Sequence, residues 1–153
     1  ITREFRASYI YQSISTYFAR DSVALLGFSE FFKKASAEER DHAQKMIDYM
    51  IKRGGEVRFD DILKPHTMDW GTPLDAVAVA LEIEKEYQDE IMKLHRVADK
   101  TGDPHMMDFL ESEFLGEQID AIKTLSEVYS KLKRAGTGVG EHIIDKEVAD
   151  MSF

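Results

Sequence analysis

The sequence predicts an all-α fold: a four-helix bundle with a long crossover between its second and third helices and a short fifth helix at the C-terminus. Apolar side chains recur every three to four residues through four long segments, as they do on the buried face of an amphipathic helix. Only 3 Pro and 9 Gly occur among the 153 residues, which is a composition typical of a helical protein. The length suits one domain with a sizeable core, and we assign residues 1–153 to it.

Capping residues set the predicted boundaries of the helices. Five helices are predicted, at about residues 1–19, 25–53, 73–100, 104–134 and 141–150. Gly54-Gly55 follows the second helix and suits a left-handed C-cap. Thr72-Pro73 and Asp103-Pro104 each place an N-cap residue before a proline at the first helical position. The first helix has no good N-cap, so we expect the native helix to begin further upstream.

The link at residues 56–71 is unusually long for a compact domain. Fully extended, about 17 residues reach ~55 Å, whereas a helix of about 28 residues is only ~42 Å long. The link can therefore run the whole length of the bundle and start the third helix parallel to the second.

Composition and charge exclude several classes of protein. There are no cysteines, which rules out disulfides and thiolate metal sites and fits the reducing cytoplasm. With 29 acidic and 20 basic residues the net charge is −9, which disfavours nucleic acid and favours cations as partners. No apolar run approaches the ~20 residues of a membrane span, and no signal peptide is visible.

The second helix carries a Glu-x-x-His pair, Glu39 and His42, on its apolar face. The two residues project from the same side of a helix, in line with Phe28, Phe32 and Ala35. Burying an ionised carboxylate is costly unless it is paired or binds a metal. The pair alone leaves three alternatives open: a chance pair, a buried ion pair with a Lys or Arg, or half of a di-iron carboxylate site.

Each of the four long helices brings an inward polar group to the same level of the bundle. These groups are Glu4, Glu39 with His42, Glu84 and Gln118. Three carboxylates in one dry layer would repel one another and raise their pKa values unless cations lay between them. Oxygen and imidazole ligands inside a helical bundle fit iron, so the layer predicts a site for two metal ions.

Several runs resemble ferritin of the heavy-chain (ferroxidase) type over essentially the whole chain. They are EERDHAQKM, the RGG after it, KP-x₃-DW in the crossover, and DPHMMDFLESEFLGEQIDAIK. The resemblance implies a ferritin-like bundle that assembles as a homo-oligomer, a hollow cage of twenty-four chains with octahedral symmetry. It also implies that the protein oxidises Fe(II) with dioxygen and stores the product as a ferric mineral. Iron would then be a substrate, bound two ions per centre.

The resemblance also assigns residues to the ferroxidase centre. The implied ligands are Glu4, Glu39, His42, Glu84 and Gln118, and Tyr11 takes the place of the tyrosine beside them. Light-chain ferritins lack this ligand set, so the chain is expected to be catalytic. We expect Glu39 to bridge both irons and Gln118, a neutral amide, to hold the second iron loosely.

Three further sites are implied by the resemblance alone. Glu38 and Asp41 match cavity-side carboxylates that gather iron, although Gln44 replaces a third acid of that group. Asp108 and Glu111 match the acidic ring of the threefold channel, with His95 close to it. Glu147 takes a place at the fourfold pore that is often held by histidine. Without the resemblance, these residues would be interpreted as solvated helix faces.

The sequence departs from the usual ferritin pattern at two positions, and two other classes of protein remain as alternatives. Arg3 and Arg6 stand where ferritins usually carry apolar residues near the twofold contact. Bacterioferritin-like and rubrerythrin-like oxidases, which retain their di-iron cofactor, carry a second Glu-x-x-His on the fourth helix. Residues 117–120 contain no histidine, which argues against them. A non-catalytic cage subunit is the other rival, and the intact ligand set argues against it.

Overall fold

The computed structural model describes residues 1–153 and contains helices but no strands, which confirms the predicted all-α class. The helices are α1 (Thr2–Phe18), α2 (Leu26–Lys52), α3 (Pro73–Thr101), α4 (104–135) and α5 (Val139–Val148). No helix has a stretch that is both long and apolar enough to cross a membrane.

Helix α4 is continuous but not uniform. An α-helical stretch, Pro104–Leu110, passes into a π-helical turn at Glu111–Leu115 and then into a longer α-helical stretch, Gly116–Ala135. A π turn widens the helix by one residue per turn, and it has no reliable signature in residue type, so the sequence did not predict it. Phe114 lies within the turn and is buried.

The predicted capping residues stabilise the start of α3. The Thr72 hydroxyl group accepts a hydrogen bond from the Asp75 backbone N–H at 3.3 Å, and the Asp75 carboxylate accepts one from the Thr72 backbone N–H at 2.9 Å. This reciprocal pair is a capping box, with Pro73 at the first helical position. Gly102 ends the helix in the left-handed conformation, φ 66°.

Helix α2 has no local side-chain cap and is capped instead by α5. The buried Asp145 carboxylate accepts a hydrogen bond from the Phe28 backbone N–H at 2.9 Å. A Cβ at Gly27 would lie 1.6 Å from the Asp145 carbonyl oxygen, so only glycine allows this approach. Helix α5 is therefore docked on the start of α2.

The ends of α5 differ from those expected from the sequence. The helix occupies Val139–Val148, whereas the glycine-rich hinge predicted about 141–150. Glycine is a poor helix former, yet Gly140 is accommodated in the first turn against Ala135. Val139, Ile143 and Glu147 face outward, and the buried face of α5 consists of Ile144, Asp145 and Val148.

The core has two apolar parts with a polar layer between them. The larger cluster has 18 buried residues, from most of α1, the first halves of α2 and α3, the last part of α4, the inner face of α5, and the crossover. The smaller cluster comprises Tyr87, Ile91, Leu110 and Phe114. Because α2 and α3 enter the large cluster by their first halves and then reach the polar layer, they run parallel, as the long crossover predicted. Trp70 of the crossover is buried in the large cluster and donates a hydrogen bond to the Ser13 hydroxyl group at 3.0 Å.

Candidate metal centre

The first half of the polar layer is formed by Glu4 of α1 with Glu39 and His42 of α2. One ligand atom from each of the three side chains lies within 4.8 Å of the other two. Glu4 is 1% exposed and Glu39 is 6% exposed, so both carboxyl groups lie in the interior of the bundle. The spacing of the three groups suits one cation between them.

The second half is centred on Glu84 of α3. The Tyr11 hydroxyl group donates a hydrogen bond to one oxygen of the Glu84 carboxylate. The side-chain amide of Gln118 donates to the other oxygen, and also to the Glu84 backbone carbonyl at 3.0 Å. The structure thus brings together Tyr11 and all five residues that the sequence placed in one layer.

Three buried polar atoms in this layer have no hydrogen-bond partner: Glu4 Oε1, His42 Nδ1 and Tyr87 Oη. Buried polar groups are nearly always paired, because each unpaired one costs about 1–3 kcal/mol. His42 Nδ1 lies 3.8 Å from Glu39 Oε2, so its free nitrogen faces the carboxylates. An acceptor oxygen and an imidazole nitrogen left free in one place can be satisfied together by a metal ion.

Burial and mutual repulsion raise the pKa values of the carboxyl groups in this layer. Burial raises the pKa of Glu4 to about 9, and the neighbouring Glu39 adds to the effect. Burial likewise raises the pKa of Glu39 to about 8, with the charges of Glu84 and Glu38 contributing. The pKa of Glu84 is also raised by burial, although the hydrogen bonds from Tyr11 and Gln118 oppose the rise.

The ion pairs of the structure bear on one of the alternatives left open by the sequence. No Lys or Arg forms an ion pair with any of the three buried glutamates; the only basic partner is His42, beside Glu39. A buried ion pair with a lysine or arginine therefore does not explain the layer. Three carboxyl groups without a basic counter-charge remain complementary to cations.

Sequence reasoning missed Glu117, which contacts His42 from the next face of α4. Glu117 Oε2 lies 2.8 Å from His42 Nε2, and Lys45 Nζ lies 3.6 Å from the other Glu117 oxygen. A carboxylate on one imidazole nitrogen fixes the tautomer and leaves the other nitrogen free to bind a metal. The available signal in the sequence was the position of Glu117 directly before the inward-facing Gln118. A glutamate on the outer flank of a helix is normally interpreted as solvent-exposed, so this signal was not sufficient.

The residues of the other implied sites lie at the surface. Glu38 and Asp41 border the opening of the layer on the α2–α4 side, and burial raises the pKa of Glu38. Asp108 is exposed, and Glu111 contacts His95 with 2.6 Å between oxygen and Nε2. Glu147 forms an ion pair with Lys131.

A buried layer of carboxylates and one imidazole, carried on four helices with a long crossover, defines a class of metal-binding helical bundles. Comparisons with known proteins agree with this class. The ferritin-like domain family matches residues 1–135, so that α5 lies beyond the matched region.

Three animal relatives match nearly the whole chain. Soma ferritin of Lymnaea stagnalis is 50% identical over 152 residues, which cover 99% of this chain and 87% of the relative. Ferritin heavy chain of Echinococcus granulosus is 49% identical over 147 residues, covering 96% of this chain and 85% of the relative. The middle subunit of ferritin from Aquarana catesbeiana is 46% identical over 146 residues, covering 94% and 83%. The chain belongs to the ferritin family, which confirms the resemblance found in the sequence.

Proposed function

We propose that this iron-storage protein of the ferritin family is a ferroxidase, which oxidises Fe(II) with dioxygen at a two-iron centre in the polar layer. The observation that carries the proposal is the convergence of Glu4, Glu39 and His42, with two of their ligand atoms buried and unpartnered. The relative named as a ferritin heavy chain supports the catalytic type.

Each residue has a separate role in the proposed centre. Glu4 and His42 bind the first iron, and Glu84 anchors the second. Glu39 bridges the two, because it interacts with Glu4 on one side and with the charge of Glu84 on the other. Gln118 contributes only a neutral amide, which is a weaker ligand than a carboxylate or an imidazole.

The charges of the buried carboxyl groups determine how the proposed centre binds and oxidises Fe(II). Fe(II) must displace the protons that burial holds on Glu4 and Glu39, so binding releases protons and strengthens as the pH rises. Two Fe(II) ions supply two electrons, which reduce one dioxygen to hydrogen peroxide with the uptake of two protons. The Tyr11 phenol beside the second iron donates a hydrogen bond to Glu84 and holds that ligand in position.

Iron is a substrate in this proposal and leaves after oxidation. The second iron has the weaker ligand set, and Fe(III) hydrolyses more readily than Fe(II). The opening bordered by Glu38 and Asp41 gives the product an acidic route out of the layer. The mineral would collect in the cavity of a cage of twenty-four chains.

Iron uptake is proposed to occur through threefold channels lined by Asp108 and Glu111. Acidic rings raise the local concentration of Fe²⁺, and salt screens this effect. Replacing both residues, Asp108→Asn with Glu111→Gln, should slow uptake by the cage at low ionic strength while the centre stays competent. Unchanged uptake would contradict the channel role.

The central test replaces Glu39 and His42 by alanine. The double variant should assemble to the size of the parent but lose fast iron oxidation, measured by absorbance and oxygen consumption after mixing with Fe(II). A matched control replaces a glutamate and a histidine that are exposed, Glu56→Ala with His142→Ala, and should keep the parent rate. If the Glu39 and His42 variant oxidises iron at the parent rate, the proposed centre is wrong and a non-catalytic role for the layer gains support.

A further inference from the structure

The Tyr87 phenol is a buried titratable group that the proposed chemistry does not use. Tyr87 lies three residues after Glu84 on α3, so both side chains project from the same face of the helix. It is 7% exposed, and its hydroxyl group has no hydrogen-bond partner. A buried phenol normally has such a partner, so its position requires an explanation.

The two tyrosines of the layer are arranged reciprocally. Helix α1 carries Glu4 and Tyr11, and helix α3 carries Glu84 and Tyr87. The α1 tyrosine already donates across the bundle to the α3 glutamate. By the same pattern, the hydroxyl group of Tyr87 on α3 would pair with the carboxyl group of Glu4 on α1.

Tyr87 and Glu4 are complementary as well as close. Both line a single cavity between α1 and α3, which also reaches Glu39 and Glu84. Tyr87 holds an unused donor, and Glu4 Oε1 is an unused acceptor.

We propose that Tyr87 is a positioning residue for the first iron, whose hydroxyl group donates a hydrogen bond to the Glu4 carboxylate, directly or through one water. This bond orients Glu4 with one oxygen toward the metal, as the Tyr11 bond orients Glu84 at the second iron. The inference rests on the proposed function, because it assigns a role within that centre. Partners of this kind typically change metal affinity by 10–100-fold when they are removed.

The test uses Co²⁺, which binds like Fe²⁺ but is not oxidised under these conditions, and needs no turnover. Titrations of the metal-free cage should show two Co²⁺ ions per chain in the parent. Tyr87→Phe removes one oxygen and keeps the ring, and it should weaken one of the two ions about tenfold. Tyr11→Phe should weaken the other ion, and Tyr9→Phe, at an exposed tyrosine, should change neither.

A double-mutant cycle separates positioning from packing. Because His42→Ala removes the first position, adding Tyr87→Phe to it should have no further effect on Co²⁺ binding. Parent-like affinity in Tyr87→Phe, or an equal loss at both positions together with a lower unfolding temperature, would overturn the inference and leave the proposed centre standing. If the parent itself bound no Co²⁺ at Glu39 and His42, the proposed function would fail first and the role of Tyr87 with it.

Discussion

The large apolar cluster and the polar layer are built on the same four helices but satisfy their buried groups differently. In the cluster, Phe18 packs on Phe28 and Phe32, with ring centroids 5.8 Å and 6.2 Å apart. Its neighbouring buried serines, Ser8 and Ser36, each donate to the other's backbone carbonyl, at 2.6 Å and 2.8 Å. In the polar layer, by contrast, three buried atoms have no partner.

This difference separates a part of the bundle that provides stability from a part whose unpaired groups fit a ligand. A cluster with every polar group paired and every ring packed lowers the free energy of folding. A layer of buried carboxyl groups and unpaired atoms raises it, and a metal bound there would recover the loss. The metal-free protein therefore carries its functional residues at a cost that the apolar cluster offsets.

The largest expected effect on stability comes from truncating a side chain in the apolar cluster. Phe28→Ala should lower the free energy of unfolding by about 3–5 kcal/mol, because it removes a fully buried ring and leaves a cavity. Glu4→Gln should not lower it at pH 7 and should raise it, because the amide resembles the protonated carboxyl group and the unfolded chain can no longer gain by ionising this residue. Denaturant titration of the metal-free proteins measures both. An equal loss in the two variants would contradict the division of the bundle into these two parts.

A second effect on stability is expected from pH. The pKa values of Glu4 and Glu39 are raised to about 9 and about 8, above their unfolded values. The folded state therefore binds more protons than the unfolded state between about pH 4.5 and 9, and stability falls as the pH rises through that range. The unfolding temperature of the metal-free protein should drop from pH 6 to pH 9. The drop should shrink in a variant that combines Glu4→Gln with Glu39→Gln, and an unchanged slope would mean that these groups are not protonated.

The sequence predicted the fold and most of the site because both depend on spacing along helices. Glu4, Glu39, Glu84 and Gln118 could be placed in one layer from their distances to the helix ends. Caps such as Thr72 and Asp103 likewise act on neighbouring residues and can be recognised locally.

The features that the sequence did not predict depend on the exact rotation of a helix about its axis, or on contacts between residues far apart in the chain. On α3 the sequence did not single out Tyr87, which is buried, because a helical face is broad enough for either Tyr87 or the adjacent Gln88 to point inward. The contact of Glu117 with His42 and the capping of α2 by Asp145 join residues 75 and 117 positions apart. Only the folded chain brings such pairs together.

The central claim, that iron passes through the polar layer as a substrate, is tested most directly by repeated rapid mixing. Fe(II) is added to the aerobic cage at two ions per centre, and absorbance is followed from milliseconds to hours over several additions. We predict that a diferric species forms and decays and that the fast phase returns after a rest. Gln118→His, which adds a stronger ligand at the second iron, should slow that return. A diferric centre that persists unchanged through many additions in the parent would contradict the account and indicate a retained cofactor.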